Sequence, residues 1–491
     1  MHDSSASRAT AIDPAAIPRG LFIGGMWREA TGGKTIPVSD PSTEESLGTI
    51  ADATVEDGLA AVAAASEAAA DWAKTAPRKR ADILMKAFHL MLAKADGLAE
   101  LISRENGKAL ADAKGEVNYA AEFFRWYAEE AVRMIGDISM APGGANRIVV
   151  QYQPVGVSVL ITPWNFPAAM ATRKIGPALA AGCTCILKPA TETPLTALAM
   201  AEILAEAGVP KGVVNVVTTS KPGPVIGAML RDRRVRKLSF TGSTEVGRRL
   251  LAEASQSVVN CSMELGGNAP FVVFEDADID AAVDGAMIAK MRNGGEACTA
   301  ANRFYVHEAV YGEFAAKLAA RMGAMRVDDG RLPTTACGPL VNRASLEKVV
   351  GFVDDAVKRG AKVLTGGKAL DRRGYFYPPT VLTDVAKDSA LLHDEIFGPV
   401  AALVAFKNED EAVAMANDTE YGLVSYVYTK DLARGLRVAE RLEAGMIALN
   451  RGLVSDPAAP FGGVKQSGLG REGAHHGLLE FAEAKYIATN W

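Results

Sequence analysis

The stretch Met291–Arg303 sets a cysteine among small residues, with Gly294, Gly295 and Ala297 before Cys298 and Ala300 after it. Small neighbours let a substrate carbonyl and the backbone come close to a sulfur. Arg292 and Arg303 flank the stretch, and positive charge nearby favours thiolate, the nucleophilic form, over thiol. A lone free cysteine is also a common core residue, so the stretch alone assigns no role. Glu264-Leu-Gly-Gly-Asn268 puts a carboxylate before a glycine pair. Such a carboxylate can activate water, or it can be a solvated loop acid. In Thr162-Pro-Trp-Asn-Phe-Pro167, Asn165 is held between prolines and aromatics. Its amide can donate to a developing oxyanion, or it can be a turn asparagine. Gly242-Ser-Thr-Glu-Val-Gly247 suits a strand-to-helix turn where backbone meets a phosphate at a helix N-terminus. Ser243 and Thr244 stand where the usual dinucleotide fingerprint has its second glycine, so a plain turn remains open.

The elements around these stretches form two α/β series. Val155–Ile161, Cys183–Leu187, Val213–Val217 and Val235–Phe240 read as short apolar strands alternating with helices. One helix covers about Ala168–Ala181, and another is capped by Thr193 with Pro194 at its first position. A second series starts near Pro270, passes Cys298 and the strand Arg303–Val306, and continues through Val363–Leu364, Val400–Phe406 and Leu423–Tyr428 to about Asn450. Strands alternating with helices predict a doubly wound parallel sheet, with ligands beyond the carboxyl ends of the strands. Glu264 falls at the join between the two series, where a cleft is expected. Before them, residues 21–50 read as short strands. Thr54 with Asp57 resembles a capping box opening a run of scaffold helices to about Trp126. A Pro-Gly-Gly turn near Met140–Gly144 divides two extended segments, a candidate oligomer contact. Pro460–Arg471 reads as a glycine-rich loop.

The 491 residues are 49% hydrophobic and 23% charged, with a formal net charge of -5. That mix supports a large core and two or three lobes. It leaves no electrostatic footprint for nucleic acid or an anionic membrane. Five sparse cysteines fit neither a disulfide framework nor a metal site, so a reducing compartment, the cytoplasm, is expected. No apolar run approaches a membrane span. The first twenty residues lack the apolar block of a secretory signal and read as a loose, soluble N-terminus.

Taken together, Pro163-Trp-Asn-Phe-Pro167, Gly223-Pro-Val-Ile-Gly227, Phe240–Gly247, Glu264-Leu-Gly-Gly267, Cys298 and Glu395-Ile-Phe-Gly-Pro399 resemble the NAD(P)-dependent aldehyde dehydrogenase superfamily, in its order and spacing from about Leu21 to the end. The resemblance implies a Rossmann-type cofactor domain (1–130 and 150–257), an α/β catalytic domain (258–450), and a small β oligomerisation element with a C-terminal arm (131–149 and 451–491). It implies a dimer or tetramer. Cys298 is then the nucleophile, Asn165 and the cysteine N–H hold the oxyanion, and Glu264 activates the water that frees the acid. Coenzyme A-acylating relatives usually lack that base, so hydrolysis is expected. The cofactor would lie along Thr162, Pro163, Trp164, Lys188, Thr191, Gly223, Gly227, Phe240, Gly242, Ser243, Val246, Leu265, Glu395 and Phe397. Glu395 would hold the nicotinamide ribose, with Phe397 against the nicotinamide and Lys188 at the adenosine ribose. NAD-preferring members often carry a glutamate where Thr191 stands. Its absence removes a repulsion toward a 2′-phosphate that Lys188 can pair. NADP is therefore the expected cofactor, with NAD as the alternative.

Closer likeness runs to succinate-semialdehyde dehydrogenases, through Met170-Ala-Thr-Arg-Lys174, Gly182-Cys-Thr, Lys188-Pro-Ala, Arg292-Asn and Pro460–Gly473. In that group, arginines matching Arg173 and Arg292 bind the distal carboxylate of a small aldehyde substrate, and Ser455 would add a hydroxyl. Asp456 beside it sits awkwardly against an anion, leaving 2-oxoglutarate semialdehyde, glutarate semialdehyde and uncharged aldehydes as alternatives. A catalytically silent protein on this fold is the contrasting reading, disfavoured by the intact Cys298, Glu264 and Asn165. Some relatives carry a second cysteine two residues after the nucleophile. Ala300 stands there, so that disulfide is impossible. No metal site is expected.

Overall fold

The computed structural model describes residues 16–490. The expected loose N-terminus falls largely on residues 1–15, outside the described ones. Two helix-covered sheets organise the chain. The first has eight strands in the order Gly468–Leu469, Asn260–Glu264, Val235–Thr241, Val157–Ile161, Cys185–Lys188, Val214–Val216, Leu21–Ile23 and Met26–Arg28. Its five central strands are parallel. Val157–Ile161 and Cys185–Lys188 are buried throughout, as continuous apolar runs must be when helices cover both faces. The chain runs to one side from Val157–Ile161 and returns to the other at Val235–Thr241. That reversal makes the switch point at which ligands of such sheets bind.

The second sheet has seven strands in the order Lys362–Thr365, Thr380–Thr383, Val400–Phe406, Ala301–His307, Ala269–Val273, Val424–Tyr428 and Met446–Leu449. All neighbours are parallel except the first pair. A separate three-stranded antiparallel sheet joins Asp137–Met140, Arg147–Pro154 and Ala482–Thr489. The hairpin insert is thus bonded along its length to the C-terminal strand.

Three expectations change. Asn260–Glu264, placed by sequence in the catalytic series after a boundary at 257, pairs in parallel with Val235–Thr241, from Lys237↔Asn260 to Thr241↔Glu264. The first sheet therefore delivers Glu264 at its carboxyl edge. Gly468–Leu469, from the glycine-rich arm, adds an antiparallel edge to the same strand. Thr193 precedes the helix Pro194–Ala207 but does not cap it with its side chain. Its hydroxyl donates to the Trp164 carbonyl at 3.2 Å. Glu105, from the helix Ala95–Asn106, instead accepts the Leu195 and Thr196 N–H groups at 2.7 and 2.9 Å. The Thr54–Asp57 capping box does form, at the start of the helix Val55–Lys74. Among the described residues, no helix is long and apolar enough to cross a membrane.

Candidate active site

The cysteine loop leaves the helix Ile279–Met291 through a kink at Asn293, Gly294 and Gly295, all with positive φ. A side chain at Gly295 would collide with the Gly398 carbonyl, which explains the glycine. A Cβ at Gly267 would lie 2.7 Å from the Cys298 carbonyl oxygen. Only glycine lets the Glu264-Leu-Gly-Gly loop press against the nucleophile's loop. Cys298 is partly buried and free, and among the described residues all five cysteines are unpaired.

Its charge environment differs from the sequence reading. Burial pushes the Cys298 thiol up to about 12; Arg173 and Arg292 pull it down, while Glu264 and Glu395 push it further up. Arg303 is not part of this balance. It is buried in the second sheet and donates to the carbonyls of Asn268, Met415 and Ala416 at 2.8, 3.0 and 2.9 Å. This balance favours the thiol, so the sulfur must shed a proton before it attacks.

Glu264 is buried, and neither of its carboxylate oxygens has a hydrogen-bond partner. Burial, then the charge of Glu472, raises its pKa well above the ordinary carboxylate range, against the pull of Arg173, Lys174 and Arg471. An unpartnered buried carboxyl is costly and marks a group kept for chemistry. A Cβ at Gly462 would sit 2.8 Å from its Oε1, so the glycine-rich C-terminal loop closes over the acid. Asn165, also buried, donates Nδ2 to the Glu296 carbonyl at 3.1 Å, and its Oδ1 is unpartnered. The amide's second N–H is available to a ligand.

Cys298 and Asn165 lie on the wall of a cavity of about 630 Å³. Its other walls are the loops after the parallel strands, the helices Pro222–Arg231 and Thr244–Ser255, and the segment around Glu395. Thr162, Pro163, Trp164, Lys188, Thr191, Gly223, Phe240, Gly242, Ser243, Val246, Leu265, Glu395 and Phe397 all line it. Gly227 does not. A Cβ there would meet the Arg231 guanidinium at 3.3 Å and Glu253 at 3.5 Å, so this glycine spaces two helices. Ser243 caps the helix Thr244–Ser255. A Cβ at Gly223 would meet nothing within 4 Å, leaving backbone open to the cavity. Trp164 and Phe397 meet edge to face at 5.3 Å, and Phe397 adopts a left-handed φ of 53°. Burial raises Glu395 to about 7, and its Oε1 accepts the Gly267 N–H at 3.2 Å. Burial lowers the Lys188 amine, with Glu192 opposing. Glu192 also lines the cavity and accepts the Thr191 hydroxyl at 3.2 Å.

Arg173, Arg292 and Ser455 are off this cavity, yet both arginines act on Cys298. Their situations differ. Arg173, on the helix Pro167–Ala181, is fully buried, stacks on Phe461 at 4.2 Å and is ion-paired with Glu472. Glu472 also binds Lys174. Burial opposes the charge on Glu472, but the two cations outweigh it and hold the carboxylate below its ordinary range. Arg292 is half-buried over Phe166 at 4.7 Å and donates Nη1 to Ser455 Oγ at 3.1 Å. It has no ion pair among the described residues. The nearby Asp112 accepts the Asn293 N–H at 2.9 Å. Asp456 is exposed, and its carboxylate accepts the Ala458 N–H at 2.9 Å.

Sequence reasoning missed several groups. Tyr119 lies beneath Arg292 at 5.6 Å, and its buried hydroxyl sits beside Arg173 and Ser455. Only its place on a helix was legible. Lys348 lines the cavity and donates Nζ to the Glu395 carbonyl at 2.7 Å. Glu472 belongs to a stretch noted for likeness, but its pairing partners lie some 300 residues earlier. No group of three His, Cys, Asp or Glu side chains converges as a metal site among the described residues.

The aldehyde dehydrogenase family matches residues 27–487, and the chain belongs to that family of NAD(P)-dependent oxidoreductases acting on aldehydes. It is 55% identical to a succinate-semialdehyde dehydrogenase of Paenarthrobacter nicotinovorans, over 90% of this chain and 98% of the relative. It is 49% identical to a glutarate-semialdehyde dehydrogenase of Pseudomonas putida, over 96% and 97%. The crystal structure of an NADP-dependent enzyme of Escherichia coli superposes with a TM-score of 0.96 at 46% identity, over 98% and 100% of the two chains.

Proposed function

We propose that the chain oxidises succinic semialdehyde to succinate with NADP, through a thiohemiacetal and then a thioester on Cys298. The observation that carries the substrate class is Arg292. It is a half-buried guanidinium without an ion pair among the described residues, bonded to Ser455 and near enough to the nucleophile to depress its pKa. A substrate carboxylate supplies the missing counter-charge. Tyr119 is a further ligand for it, because its buried hydroxyl lies beside Arg173 and Ser455. Arg173 supports the same positive field, although Glu472 already neutralises it.

Cavity size, the open backbone at Gly223 and the helix N-terminus at Ser243 fit a dinucleotide. Glu395, Lys348 and Phe397 would hold its nicotinamide end, and Lys188 and Thr191 its adenosine ribose. When bound, the cofactor accepts hydride. Cys298 gives its thiol proton to solvent and attacks the aldehyde carbon. The second Asn165 N–H and the cysteine's own N–H hold the resulting oxyanion. Glu264 then takes a proton from water, which attacks the thioester, releases the acid and restores the sulfur. Lys188 and Thr191 favour NADP, while the Glu192 carboxylate must turn away for a 2′-phosphate to bind. Relatives at nearly equal identity act on the five-carbon homologue, and the same clamp serves that substrate. A homo-oligomer through the three-stranded sheet fits its exposed Ile138 and Tyr486. A reducing compartment such as the cytoplasm fits five unpaired cysteines.

The test is initial rates over four- and five-carbon semialdehydes and uncharged aldehydes of equal length, each with NADP and NAD. Succinic semialdehyde with NADP is expected to show the highest kcat/KM. Equal efficiency on the uncharged aldehydes removes the substrate reading, and equal or better efficiency with NAD removes the cofactor reading.

A further inference from the structure

Resting on the oxyanion role of Asn165, we propose that the buried Lys108–Glu116 ion pair is a positioning device for that residue. Lys108 sits between the helices Ala95–Asn106 and Leu110–Glu130, and Glu116 lies on the second of these. Both side chains are fully buried, with Nζ 2.5 Å from Oε2. Neither lines the cavity. Each reaches the segment that carries Asn165 from a different side. Lys108 Nζ donates to the Asn165 backbone carbonyl at 2.7 Å, and Asn293 Nδ2 donates to the same oxygen at 3.0 Å. Glu116 Oε1 accepts the Ala168 and Ala169 N–H groups at 2.8 and 3.2 Å. The Lys108 ammonium also lies over the Phe166 ring, 4.1 Å from its centroid.

The helix Pro167–Ala181 has no side-chain cap of its own at Phe166. Glu116 provides that cap from 52 residues away. The Asn165-Phe166 dipeptide is thereby held at its carbonyl by a cation and at the following N–H groups by that cation's own counter-ion.

Stability alone does not account for the pair. A buried ion pair often gains nothing over well-packed apolar residues of similar volume. An apolar pair could not fix a carbonyl oxygen and two N–H groups at one spacing. The Asn165 side chain makes one hydrogen bond among the described residues, to the Glu296 carbonyl. Its aim at a reacting oxygen therefore depends on where its backbone is held. Misplacement by about 1 Å costs on the order of 100-fold in rate, comparable to losing an oxyanion donor outright, about 10²–10³-fold.

The experiment is a double-mutant cycle on the full-length enzyme, pairing Lys108→Met with Asn165→Ala. The readout is the single-turnover burst of NADPH, beside NADP binding and the thermal midpoint. Lys108→Met is expected to slow the burst at least about tenfold while NADP affinity stays within about twofold. In the Asn165→Ala background it should slow the burst no further than about twofold. Losses that multiply, or an unchanged burst in folded Lys108→Met protein, overturn the proposal. If Asn165→Ala alone leaves the burst intact, the oxyanion reading has failed first. Should Lys108→Met not fold, Glu116→Gln keeps an oxygen for the two N–H groups and disturbs the lysine. Its loss, several-fold, must likewise vanish in the Asn165→Ala background, and persistence there overturns the brace.

Discussion

Arg292→Gln separates the two arginines that sequence reading treated as equals. Arg292 bonds a neutral hydroxyl and two aromatic faces, and no carboxylate depends on it for an ion pair. Its removal should leave the fold intact and act mainly on the charged substrate, because Arg292 ranks behind Arg173, Glu264 and Glu395 among the charges acting on Cys298. A charge-assisted hydrogen bond contributes about 1.5–3 kcal/mol. At 1.36 kcal/mol per factor of ten, that predicts a loss of about 10- to 150-fold in kcat/KM for succinic semialdehyde. The guanidinium is half-buried, so solvent screening favours the lower end. Butanal has the same chain length without the carboxylate and should change by less than about threefold. The thermal midpoint should move by no more than about 1 °C. Arg173→Gln should behave in the opposite way. It leaves Glu472 short of a buried counter-charge, and breaking such a pair costs about 3–5 kcal/mol. Glu472 in turn raises the Glu264 pKa, so both aldehydes should slow together in a less stable protein. Initial rates on the two aldehydes with saturating NADP, beside thermal melts, decide the matter. Equal losses on both substrates in Arg292→Gln, or a stable and acid-selective Arg173→Gln, would refute the reasoning.

Three further outcomes are expected. Glu264 works as a base only when ionised, and burial with Glu472 raises its pKa, so kcat should keep rising as pH climbs above the ordinary carboxylate range; Glu264→Gln should flatten that rise, cut turnover about 10²–10⁴-fold and spare the first NADPH burst, and a wild-type profile already flat above the ordinary carboxylate range would contradict the assignment. Thr191→Glu adds a second carboxylate beside Glu192 on the cavity wall. A like-charge penalty of about 1–3 kcal/mol should lower kcat/KM for NADP at least about fivefold and spare NAD, and equal effects on both cofactors would count against it. Val258 is 90% exposed at φ 51°, a conformation costing a β-branched residue about 1–2 kcal/mol. Val258→Asn should raise the thermal midpoint, and a lower one would show that the valine makes contacts the single chain does not reveal.

Much of the site was legible because its signals are local. A capping box spans four residues, as Thr54 and Asp57 show. Apolar runs such as Val157–Ile161 report burial on both faces within one strand. Glycines at Gly242, Gly294 and Gly295 mark tight backbone beside a nucleophile or a helix N-terminus. From these, the α/β architecture and the candidacy of Cys298, Glu264 and Asn165 follow without coordinates. What remained hidden depends on charges far apart in sequence sharing one dry space. Arg303 lies five residues from Cys298 yet spends its hydrogen bonds on the far side of a strand. Glu472 lies some 300 residues from Arg173 and neutralises it. Thr193 looked like a cap, but a carboxylate from another helix does that work. Residue type and spacing state which groups can do chemistry. Coulomb and desolvation energies depend on distance and burial, and only the packed chain sets those.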